Sequence, residues 1–61
     1  MEALWKTNLE VNLPQGYDVK ENQDVFFLVR GDTEEIVDIF GKTGNPAAQI
    51  ARRAIKDLNT D

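Results

Sequence analysis

From Trp5 the chain alternates, with Trp5, Thr7, Leu9, Val11 and Leu13 on one side and Lys6, Asn8, Glu10 and Asn12 on the other, the period of a half-buried strand. Leu13-Pro14-Gln15-Gly16 places Pro and Gly where a tight turn takes them. Tyr17-Asp18-Val19 is a short extended piece, and Lys20-Glu21-Asn22-Gln23-Asp24 reads as a polar connection. Val25-Phe26-Phe27-Leu28-Val29 is apolar on both faces and rich in aromatic and β-branched residues, which predicts the central strand. Arg30-Gly31-Asp32-Thr33-Glu34 suits a hairpin loop, and Glu35-Ile36-Val37-Asp38-Ile39-Phe40 is the returning strand.

The pattern changes after Gly41-Lys42-Thr43-Gly44. Asn45-Pro46 is a helix start, because the Asn side chain accepts from free first-turn amides and Pro fits where no N–H is needed. At roughly 100° per residue, Ala47, Ile50, Ala51, Ala54, Ile55 and Leu58 share an arc of about 140°. Gln49, Arg52, Arg53 and Lys56 point the other way, and the positive charges sit in the half where they complement unpaired carbonyls. A helix is therefore predicted over 46–58, with Asn59 as a left-handed stop. Strand, strand, strand, helix implies an α+β fold: one three-stranded antiparallel sheet followed by one C-terminal amphipathic helix packed on one of its faces.

Counting faces raises a demand for cover. One helix shelters one side of the sheet, leaving either Phe26, Leu28, Ile36 and Phe40, or Val25, Phe27, Val29, Val37 and Ile39, on the other. We take Phe26, Leu28, Ile36 and Phe40 as the candidate interface, since an apolar patch of several hundred Å² normally marks a contact with another molecule. The alternative is closure within the chain, by strand twist or by the 14–24 segment folding across the back.

Length sharpens the demand. Sixty-one residues make one domain, 1–61, and such a chain buries only about 60% of its unfolded surface. With no Cys there is no disulfide, and with neither Cys nor His the common structural zinc sites are excluded. Oligomerisation is the remaining device, so a homodimer, or failing that a different protein, is the expected partner. No cofactor is implied. Met1-Glu2-Ala3-Leu4 lacks the features of a secretory signal and no stretch matches a membrane span, which points to a cytoplasmic location without membrane contact.

The net charge of −4 disfavours general attraction to nucleic acid. Its distribution is uneven, since residues 1–40 hold three basic against nine acidic side chains and residues 41–61 hold four against two. Lys42, Arg52, Arg53 and Lys56 are therefore the candidate anion contacts, and nucleic-acid binding through the helix face is the alternative function. Gly41-Lys42-Thr43 lacks the earlier Gly of a phosphate-binding loop, because position 36 is Ile. Absence of His, Cys and Ser removes the familiar nucleophile and base pairings. The expectation is a non-enzymatic interaction module, self-associating through the uncovered face or edge of the sheet.

Overall fold

In a computed structural model describing residues 5–60, three antiparallel strands in one open sheet are followed by a C-terminal helix. These are β2 (Tyr17–Glu21), β3 (Val25–Arg30), β4 (Ile36–Gly41) and α1 (Pro46–Leu58). A two-residue strand, β1 (Trp5–Lys6), pairs with β2, so the spatial order is β1-β2-β3-β4. Backbone placement is described from Trp5 and side chains from Thr7, so the predicted inward position of the Trp5 side chain, and Met1–Leu4 and Asp61, lie outside the described residues.

The first strand differs from expectation. Pairing stops after Lys6↔Lys20, and residues 7–14 continue without a ladder to β2. Leu9, Val11 and Leu13 instead pack against the core made by Val19, Phe26, Leu28, Ile50 and Ala54, while Asn8, Glu10 and Asn12 stay exposed. The alternation was a true record of sidedness. It did not require a ladder, because apolar side chains gain more from covering a core than from lying along a strand edge. The second predicted piece is longer than expected, running to Glu21. Asn22 then closes the β2–β3 turn, its side chain accepting from the amides of Asp24 and Val25 at 2.8 and 2.9 Å.

β3 is central as predicted, flanked by β2 and β4. Its ladder with β4 contains an irregularity: Leu28 pairs with Asp38, but the next residue, Val29, pairs with Ile36. One step on β3 therefore spans two on β4, making Val37 the extra residue of a bulge. Val37 packs against the core cluster, and Ile36 comes opposite Val29 on the other face.

The β3–β4 turn takes its left-handed residue at Glu34 (φ 58°) rather than at Gly31, and the Glu34 N–H donates to Arg30 O at 2.7 Å. Helix α1 begins as expected, with Asn45 Oδ1 accepting from the Ala48 N–H at 3.5 Å. Its end is a right-handed Asn59 (φ −86°) whose N–H donates to Ile55 O, not the left-handed stop expected.

Candidate functional site

Directly opposed residues in an antiparallel pair share a face. Phe26↔Phe40 and Val19↔Leu28 thus lie on the side of Ile50 and Ala54, the helix side, and all but half-buried Phe40 are buried. The four residues chosen as an interface are therefore not one surface. Phe26 and Leu28 are core residues, Phe40 packs against that core, and Ile36 alone among them is exposed, on the opposite face. Regular alternation would have kept Ile36 with Phe40, and the bulge at Val37 breaks it.

The face turned away from the helix holds Phe27 and Val29 with their cross-strand neighbours: Lys20 and Ile39 beside Phe27, Asp18 and Ile36 beside Val29. All four central residues are enclosed within the single chain, Phe26 at 8%, Phe27 at 9%, Leu28 at 0% and Val29 at 2% exposure. The 14–24 segment does not cross the back to achieve this, since Tyr17–Glu21 is a strand in the sheet. Beside that far-face pair, Lys20 reaches from β2 to an ion pair with Glu34 in the β3–β4 turn. The exposure is passed outward to the edge strand, where Ile36 is 49% and Ile39 53% exposed.

The four basic candidates are not equivalent either. Lys42 Nζ is 2.8 Å from Glu21 Oε2 and 5.2 Å from the centre of the Phe26 ring. That contact, first among the causes, holds the Glu21 carboxyl below its ordinary value. Arg53 Nε donates to Asp38 Oδ2 at 3.1 Å, so Arg53 borders the sheet rather than pointing away from it. Arg52 and Lys56 are exposed on α1. Lys42 and Arg53 each have an intramolecular carboxylate to neutralise them, which weakens both as anion contacts.

Sequence reasoning passed over a polar cluster at the C-terminal end of α1. Asp57, whose side chain is only 14% exposed, accepts from the Tyr17 hydroxyl at 2.6 Å and faces Arg30 Nη2 at 3.3 Å and Arg53 Nη1 at 3.9 Å. Arg30 also meets Glu35 at 3.2 Å. The Tyr17 hydrogen bond, ahead of the two guanidinium groups, holds the Asp57 carboxyl below its ordinary value, and the same bond pushes the Tyr17 hydroxyl up. The helix is turned so that this acid side meets the sheet, leaving Ile55, at the margin of the apolar arc, half exposed; Leu58, near the middle of the arc but at the last position of α1, is half exposed as well. No signal short of the fold itself joins residues 40 positions apart.

Among the described residues there is no pocket, no group of three His, Cys, Asp or Glu side chains placed to hold a metal, and no helix long and apolar enough to cross a membrane. Comparison with protein-family models, with curated proteins and with solved structures gives no match.

Proposed function

We propose that this chain is a non-enzymatic interaction module that contacts a second copy of itself through the sheet face turned away from the helix. One observation carries the reading: Ile36 and Ile39, both about half exposed, project from the same face of the edge strand beside Phe27 and Val29. The contact differs from the one expected of the sequence, because the central strand no longer needs cover. Burying the exposed halves of four isoleucines, two per copy, contributes about 3–6 kcal/mol. That is comparable to the ~4 kcal/mol or more that association costs. The isoleucines alone roughly offset that cost, so the self-contact is weak and transient, and a cytoplasmic location suits a chain without cysteine.

Sedimentation and NMR titration by dilution test it together. Concentration-dependent shifts at Ile36, Ile39, Val25 and Phe27, abolished by Ile39→Lys, support the face contact. A constant monomer mass into the millimolar range, with no shifts at those residues, overturns it.

A further inference from the structure

The open sheet has two lateral edges, and the direction of each outward amide follows by alternation from the hydrogen bonds at the strand ends. The Arg30 N–H donates to Glu35 O at 2.9 Å, toward the β4 side. Amides on a strand alternate between its two sides, so those of Leu28 and Phe26 also face β4, and Leu28↔Asp38 and Phe26↔Phe40 are the hydrogen-bonded pairs. Ile39, between them, directs its N–H away from the sheet. There it donates to Oδ1 of the preceding Asp38 at 2.8 Å, while Arg53 holds the other carboxylate oxygen at 3.1 Å.

The opposite side repeats the arrangement. The Asn22 N–H donates to Val25 O, toward β3, so the amide of Lys20 does likewise and that of Val19 points outward. Val19 lies just past the last pair of β1, Lys6↔Lys20, where β2 has no further ladder partner although the Val19 side chain itself is buried. Its N–H donates to Oδ1 of Asp18 at 2.8 Å. Two strands, two sides of the sheet, and in each an aspartate occupies the outward amide of the residue that follows it.

We infer that Asp18 and Asp38 are edge guards that close this sheet to strand addition by a second copy of the chain, through β4 above all. β4 presents the longer free edge and carries Ile36, Val37, Ile39 and Phe40, the composition an added strand recognises. An incoming β4 would have to displace a carboxylate from the Ile39 amide and leave it, with Arg53, against its own backbone carbonyls. Association is thereby confined to the face. The guard is independent of the face contact, since it concerns what the edge refuses and not what the face accepts.

Asp38→Ala removes the guard, and Arg53→Gln leaves the guard in place while removing its ion pair together with the longer contact to Asp57. Sedimentation across a concentration series, with circular dichroism confirming the fold, compares each with the parent. Asp38→Ala is expected to associate at a concentration about tenfold or more below the parent's, the effect of about 1.4 kcal/mol, with the Ile39 amide becoming protected from hydrogen exchange; Arg53→Gln is expected to match the parent. A folded Asp38→Ala with the parent's mass at every concentration overturns the inference. Should Asp38→Ala fail to fold, Asp18→Ala carries the same decision at the other edge. Because each variant is read against the parent, a parent that stays monomeric removes the face contact and leaves this test intact.

Discussion

The Tyr17 hydroxyl donates to Asp57 at 2.6 Å, fastening the first residue of β2 to the last turn of the helix. Each group shifts the other, and in opposite directions. The Asp57 carboxyl titrates below its ordinary 3.8, so the stability it contributes is present above that pH and is lost as pH falls through the lower native value. The Tyr17 hydroxyl titrates above its ordinary 10.0, so its contribution is full below that pH and disappears as pH rises through the higher native value. Urea midpoints between pH 2 and 12 are expected to fall at both ends in the parent. In Tyr17→Phe both falls are expected to be shallower, and identical profiles for the two chains would show that the pair does not contribute.

Leu28 is fully buried at the centre of the central strand, against Ile50 and Ala54. Leu28→Ala is expected to cost about 2–5 kcal/mol. A domain of this length commands about 3–9 kcal/mol in all, so the variant is expected to lose about half of that margin, read by circular dichroism as a much lower thermal midpoint. Val25→Ala, on the far face and half exposed, is expected to remain folded.

Gly16 (φ 97°) and Gly44 (φ 79°) have open space where a Cβ would stand, and so does Gly41, whose φ is not positive. Space being equal, backbone conformation alone separates them. Gly16→Ala and Gly44→Ala are each expected to lose about 1–2 kcal/mol, and Gly41→Ala to be neutral or to gain up to about 1 kcal/mol from a stiffer unfolded chain. Thermal unfolding of the three single variants checks the ranking.

The Asn45 cap is a long hydrogen bond to the Ala48 amide, 3.5 Å. Asn45→Ala is therefore expected at the lower end for a lost cap, about 0.5–1 kcal/mol, measured as a shift in the urea midpoint. A loss above about 2 kcal/mol would mean that Asn45 does more than cap.

Local chemistry made much of the fold legible. Asn45-Pro46 marked where α1 begins, and five unbroken apolar residues marked the strand with neighbours on both sides. What stayed hidden depends on partners distant in the chain. The alternation of Leu9, Val11 and Leu13 reveals that one side is wet and one dry, but not whether a strand or a core dries it. Ile36 was assigned to the wrong face because a bulge is a property of two strands together, visible only once Leu28 and Val29 are matched with Asp38 and Ile36. Nothing in the sequence singled out Asp57, and Arg53 was placed on the side of α1 facing away from the sheet, because Tyr17, Arg30 and Asp38 come beside them only in the fold.

β4 holds one amino acid more than its neighbour can match, and that surplus makes the strand forgiving at a single point. Excising Val37 would join Ile36 directly to Asp38 while every other partnership, from Val29↔Ile36 to Val25↔Gly41, stays as it is. Excising Ile39 would instead turn the three preceding side chains inside out. Shortening a strand by one position normally ruins it; here the pairing would survive, and only the contact of Val37 with the core would be lost.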